Sequence, residues 1–170
     1  MPIKRLDWTL QIFQRLQKEF ENATLTIVGK HSSYTNVLKK MVEELGIKDR
    51  VWMDQNVSDS ELLNIYRINN FYLSCAPMED FGIAPLEAMA MGLPIIVWDF
   101  GGTAELVEHG KTGFKAKSYD LNDFYQKTLD ALSLTEEGYR KLSENARAKA
   151  KEYTWKRHID TLENEILKIA

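Results

Sequence analysis

Near the start of the chain, Leu6, Leu10, Phe13, Leu16 and Phe20 recur at steps of three and four. That spacing predicts one apolar face on a helix of about four turns. Leu25-Thr26-Ile27-Val28 is a short, mostly β-branched run stopped by Gly29, which predicts a buried strand. Tyr34, Val37, Leu38, Met41, Val42 and Leu45 restore the helical step, and Gly46 follows where a C-terminal cap belongs. Val51-Trp52-Met53 is a second short strand. Ser58 precedes Glu61 by three residues, a capping box that opens a helix through Leu62, Leu63 and Tyr66.

The alternation continues to the end. Phe71 to Ala76 and Ile95 to Trp98 predict strands, and Ala84 to Met91 between them predicts a helix ending at Gly92, with Pro94 beyond. Thr103 to Glu108 predicts a short helix and Gly113 to Ala116 a short strand. From Asp120 the pattern is helical, with breaks near 133–135 and 153–154. Short apolar strands alternating with helices imply βαβ units. The predicted fold is α/β, a doubly wound, mostly parallel sheet with helices on both faces. Nothing resembling a linker or repeat divides the chain, so residues 1–170 form one domain, on which the helices of about 135–170 pack. The sequence opens on a helix where such a sheet normally opens on a strand, so the first strand could be missing.

Ligands of such sheets bind at the carboxyl ends of the strands. This rule nominates Gly29–Ser33, Gln55–Asp59, Pro77–Ile83 and Asp99–Thr103.

Composition narrows the function. A net charge of -3 on 170 residues argues against a nucleic-acid partner, which calls for a basic stripe. The single cysteine, Cys75, cannot form an internal disulfide. No charged-then-apolar leader opens the chain, and no apolar stretch approaches the roughly 20 residues that cross a bilayer. A cytoplasmic location and no membrane contact by this chain are expected. The three histidines, His31, His109 and His158, are far apart in sequence, and no metal-ligand spacing occurs, so no metal site is expected.

Residues 77–94 carry the chemistry. Glu79 and Glu87 are separated by seven residues across a strand-loop-helix junction, so both can point into one crevice above the sheet edge. Carboxylates accept hydrogen bonds from sugar and ribose hydroxyls. Among 25 acidic residues, two glutamates alone would read as solvated; their surroundings change that. Gly82 just before the helix lets backbone approach a ligand. The N–H groups of Ile83 and Ala84 form a helix N-terminus suited to a diphosphate. Pro85 fits the first helical turn. Ala88, Met89, Ala90 and Gly92 read as helix-on-sheet packing.

From Glu79 through Pro94 the sequence resembles the Glu-x7-Glu signature of the group 1 glycosyltransferases, also called family four. The likeness extends over nearly the whole chain. Leu25 to Gly29 is similar to the family's strand ending in glycine, and Val57 to Tyr66 to its base-binding loop and helix. Gly101-Gly102-Thr103-Ala104-Glu105 and Gly110-Lys111-Thr112-Gly113 resemble its turns, and Trp155 its last-helix aromatic.

The resemblance implies the C-terminal, nucleotide-sugar-binding half of a GT-B enzyme built from two Rossmann-like domains. Glu79 would contact the donor hexose at the reacting centre, and Glu87 would hold the ribose hydroxyls. The backbone of Phe81, Gly82 and Ile83 would meet sugar and diphosphate. Gly29 and Val57 would line the donor site. Lys4 sits where a diphosphate-neutralising lysine is expected; its usual arginine partner would precede Met1, and Arg5 is out of register. The donor would be a UDP-, GDP- or ADP-sugar, with no metal or other cofactor. A hexose would pass, with retention of configuration, to a glycan or lipid-linked acceptor held by an N-terminal domain that this chain lacks, so the chain alone should transfer almost nothing. The last helix would cross to that partner domain. The whole enzyme could act at the cytosolic face of a membrane. Two other readings fit the same residues: a non-catalytic nucleotide-sugar-binding module, or a nucleotide-sugar 2-epimerase. A nicotinamide dehydrogenase is disfavoured, because Gly29 is followed by Lys-His-Ser-Ser and no GxGxxG occurs.

Overall fold

The computed structural model describes residues 3–168; residues 1, 2, 169 and 170 of the expected domain lie outside that range. Strands and helices alternate as α1 (Leu6–Leu16), β1 (Leu25–Gly29), α2 (Ser33–Glu44), β2 (Val51–Gln55), α3 (Asp59–Ile68), β3 (Tyr72–Ser74), α4 (Ile83–Ala90), β4 (Ile95–Trp98), α5 (Gly102–Glu105), β5 (Gly113–Ala116), α6 (Leu121–Leu132), α7 (Glu136–Ala150) and α8 (Trp155–Leu167). All described strand pairs are parallel.

β4 shows why the fold is three-layered. Each of its residues is buried. Ile96 and Trp98 join Ile12 and Leu16 of α1 and Phe124 and Ala131 of α6 in one cluster. Ile95 and Val97 join Tyr66 of α3, Ala88 and Met89 of α4, and Ala146 and Ala150 of α7 in another. Side chains alternate across a strand, so a strand covered on both faces must be apolar throughout. A third cluster packs Leu10 and Phe13 of α1 on Leu38 and Val42 of α2, beside β1 and β2.

Caps set several boundaries. The Ser58–Glu61 capping box opens α3 as the sequence indicates. A second box, Ser32 with Thr35, opens α2 and was not anticipated. Thr135 and Thr154 open α7 and α8 by accepting from the N–H groups of Gly138 and Arg157.

Several expectations change. The sheet is not one ladder: β1–β2 form one pair and β3–β4–β5 a separate trio. The run from Phe71 to Ala76 forms a ladder only at Tyr72–Ser74, although Cys75 and Ala76 stay buried. The C-terminal helices do not share one role. α7 packs through Leu142, Ala146 and Ala150, whereas α8 buries no residue. Trp155 is 83% exposed, although the helices of about 135–170 are expected to pack on the domain, because no other described element covers that face of α8. Tyr153 does pack. Ala90 is exposed, unlike Ala88 and Met89, because it ends α4 on the solvent side.

No described helix is long and apolar enough to cross a membrane.

Candidate functional site

α4 is held at both ends. At its C-terminus, Ser143 Oγ donates to the Gly92 carbonyl at 2.6 Å and the Arg147 guanidinium to the Met91 carbonyl at 3.0 Å. These bonds satisfy carbonyls that a helix end leaves free and tie α4 to α7. At its N-terminus, Gly82 is the cap residue with φ 86 and ψ 65, a left-handed conformation that favours glycine. A Cβ there would stand 3.0 Å from Thr103 Cγ2 and 3.6 Å from Glu79 Cγ. Glu79, Gly82 and Thr103 are therefore packed together by the turn itself. The N–H groups of Ile83 and Ala84 have no acceptor among the described residues, and Pro85 has no N–H to satisfy. Ile83 and Phe81 are exposed beside them. Phe81 meets Tyr153 edge-on at 5.9 Å.

The loop after β3 is clamped from beneath. Gly102 N–H donates to the Glu79 carbonyl at 2.8 Å. The Trp98 indole donates to the Cys75 carbonyl at 3.0 Å, fixing where the loop leaves the sheet. Burial pushes the Cys75 thiol up to about 12, so it is an inert core group here.

The Glu79 carboxylate pairs with the Lys4 ammonium, joining the residue just before α1 to the loop after β3. Arg5 points elsewhere. It pairs with Asp7 at 2.7 Å and lies over the Trp8 ring, 3.4 Å from its centre.

Glu87, on the fifth residue of α4, accepts from the Tyr66 hydroxyl at 3.3 Å. Burial first, and then the Glu87 charge, push the Tyr66 phenol far above its ordinary value. Burial likewise pushes Tyr72 up to about 12, with smaller contributions from Glu79 and Glu87. Both carboxylates are thus close enough to act on one phenol, that of Tyr72 at the start of β3. The apolar step along α3 reads Tyr66 as core, which it is; nothing in the sequence indicates that its hydroxyl reaches the signature glutamate.

Gly29 and Val57 sit at the neighbouring ladder. Gly29 ends β1 opposite Gln55, and its carbonyl accepts from Asn56 N–H at 3.1 Å. A Cβ on Gly29 would meet nothing within 4 Å, so this rim is open. Val57 follows in the loop before α3 and is half-buried. His31 bonds Gln55 across the same strand ends at 2.9 Å, as a loop residue would. The candidate residues therefore form two groups at the carboxyl ends of the strands: Lys4, Glu79, Phe81, Gly82, Ile83 and Glu87 around α4, and Gly29 with Val57 beside β1 and β2. Among the described residues, no three His, Cys, Asp or Glu come together as a metal site.

The family model for glycosyl transferases group 1 matches residues 2–149. The chain belongs to that family. The matched range includes the segment around α4 described above. The chain is 32% identical over 146 residues to the N-acetyl-alpha-D-glucosaminyl L-malate synthase of Bacillus anthracis, covering 85% of this chain and 37% of that protein. It is 30% identical over 151 residues to an uncharacterized glycosyltransferase of Haemophilus influenzae, covering 88% of this chain and 42% of that one. The chain thus spans less than half the length of these relatives. Among solved structures, HepE of Anabaena in complex with UDP and glucose superposes over 100% of this chain and 46% of its own, with TM-score 0.80 and 21% identity. The sucrose-phosphate synthase of Thermosynechococcus elongatus superposes with TM-score 0.84 at 20% identity, over 100% of this chain and 44% of its own. These likenesses establish the fold as that of a GT-B glycosyltransferase domain.

Proposed function

We propose that this chain is the donor-binding half of a retaining group 1 hexosyltransferase that uses a nucleoside-diphosphate sugar. The observation that carries the reading is the Lys4–Glu79 pair beside the free N–H groups of α4, with Glu87 one turn further along. The diphosphate would lie at the α4 N-terminus, where Ile83 and Ala84 present N–H groups and the helix dipole favours negative charge. Glu87, steadied by Tyr66, would accept from the ribose hydroxyls. Glu79 would face the hexose, with Phe81 and Gly82 close to its hydroxyls. Gly29 and Val57 would border the base.

Transfer breaks the bond between the anomeric carbon and the diphosphate oxygen. The electron pair leaves with the nucleoside diphosphate, and the sugar gains positive character. Lys4 and the α4 N–H groups would stabilise the first charge without a metal, and the Glu79 carboxylate the second. In the free chain Lys4 and Glu79 neutralise each other; donor binding would draw Lys4 onto the diphosphate. The acceptor, a glycan or lipid-linked sugar, would bind the other half, toward which the exposed face of α8 could turn. Alone, the chain would bind the donor and transfer almost nothing.

Calorimetric titration with UDP, GDP and ADP tests the assignment. One nucleotide should bind better than the others. Glu87→Ala should weaken it by about 1–3 kcal/mol, roughly 5- to 150-fold in Kd, as expected for leaving the ribose hydroxyls it would bind without their partner. An unchanged Kd would remove Glu87 from the site.

A further inference from the structure

The two signature glutamates have different partners. Glu79 is paired with a cation, Lys4. Glu87 is not. Among the described residues, the only hydrogen bond to its carboxylate comes from the Tyr66 hydroxyl at 3.3 Å, and no lysine, arginine or histidine reaches it. Glu87 and Tyr66 both line the apolar cleft of about 460 Å³ between the two ladders, where the side chains of Leu62, Ile65 and Leu93 offer no polar group.

The phenol acts on Glu87 in one direction only. A hydroxyl has one hydrogen to donate. Two acceptors lie within reach, the Ala84 carbonyl at 3.5 Å and the Glu87 carboxylate at 3.3 Å. Ala84 lies in the first turn of α4, where its carbonyl accepts from Ala88 N–H along the helix. The carboxylate is charged, and hydrogen bonds to an ionised group are the stronger ones, so it takes the hydrogen. Burial first, and then the Glu87 charge, hold the phenol protonated. Tyr66 therefore donates and Glu87 accepts.

This donor is fixed in place. Tyr66 is 7% exposed, and its ring belongs to the buried cluster of Ala88, Met89, Leu93, Ile95 and Val97. Glu87 has a long side chain, and a ligand that had to order it would lose affinity to the rotamer freedom given up. A hydrogen bond already made to one carboxylate oxygen removes much of that cost in advance. A carboxylate offers about four lone-pair sites, so one bond from Tyr66 leaves room for two more donors. With no cation beside it, Glu87 suits neutral hydroxyls and repels a diphosphate.

We infer that Tyr66 is a positioning residue that makes Glu87 selective for a vicinal diol, the 2′- and 3′-hydroxyls of a ribonucleotide. Its effect reaches the ligand through Glu87 alone. The inference rests on the placement of the ribose at Glu87 proposed above.

The test is calorimetric titration of the 170-residue chain with the best-binding of UDP, GDP and ADP and with its 2′,3′-dideoxy counterpart. Tyr66→Phe keeps the ring in the core and removes only the hydroxyl. It should weaken the ribonucleotide by about 5-fold, the scale of one net hydrogen bond, and leave the dideoxy form unchanged. In a Glu87→Ala background the same substitution should change neither. An unchanged ribonucleotide Kd overturns the inference. Equal weakening of both forms overturns it too, because Tyr66 then acts only through the packing of α4. If the wild type prefers the ribonucleotide, and Glu87→Ala removes that preference while Tyr66→Phe does not, the donor reading stands and this inference alone falls. A wild type that binds both forms alike, or neither, overturns both.

Discussion

Gly102→Ala is expected to abolish the proposed nucleotide binding by this chain and to lower its thermal midpoint by roughly 5–10 °C. A Cβ at position 102 would stand 1.7 Å from the Asp80 carbonyl oxygen and 3.1 Å from Phe81 Cα. Both obstacles are backbone, so no side chain can rotate away. The loop over residues 79–82 must lift, and the 2.8 Å bond from Gly102 N–H to the Glu79 carbonyl goes with it. Overpacking of this kind costs about 1–3 kcal/mol. The larger consequence is local. Glu79 and Gly82 ride on that loop, and Gly82 caps α4. Displacing it moves the proposed hexose carboxylate and the diphosphate-binding helix tip together. Circular dichroism with calorimetric titration checks both effects; a folded variant with unchanged nucleotide affinity would show that the loop is not part of the donor site.

The second large effect belongs to Lys4. In an enzyme reassembled from this chain and the proposed acceptor half, Lys4→Ala should reduce transfer by about 10²–10³-fold, the range seen when one fixed stabiliser of developing charge is lost. The thermal midpoint should hardly move. The Lys4 side chain is 63% exposed, and exposed ion pairs contribute little to stability. Steady-state kinetics with the preferred donor separates the two roles. Loss of kcat with an intact fold indicates charge stabilisation in the transition state. An unchanged rate would leave Lys4 as no more than a surface partner of Glu79.

The fold could be read from the sequence wherever local chemistry decides it. The unbroken apolar run of β4 announces a strand buried on both faces, and Ser58 with Glu61 announces the start of α3. The glutamates, Gly82 and Pro85 could be placed around a helix start because their spacing is local. What stayed hidden depends on contacts distant in sequence. The division of the sheet reflects a gap between β1 and β3 that no local pattern encodes. The end of α1 at Leu16 was overrun because Phe20 keeps the helical step while the chain has already turned. Gly-Gly at 101–102 reads as a turn, yet only the fold reveals that Asp80 crosses directly over it. Trp155 looks like a packing residue by type, and its exposure depends on what covers α8.

The central claim is that the exposed tip of α4 and Glu87 hold a nucleoside diphosphate. Amide chemical-shift mapping during titration with the best-binding nucleotide tests it most directly. The largest shifts are expected at Gly82, Ile83, Ala84 and Glu87, with Phe13, Leu25 and Leu132 in the apolar cleft unmoved. Shifts confined to that cleft, with the α4 amides unchanged at saturation, would contradict the account.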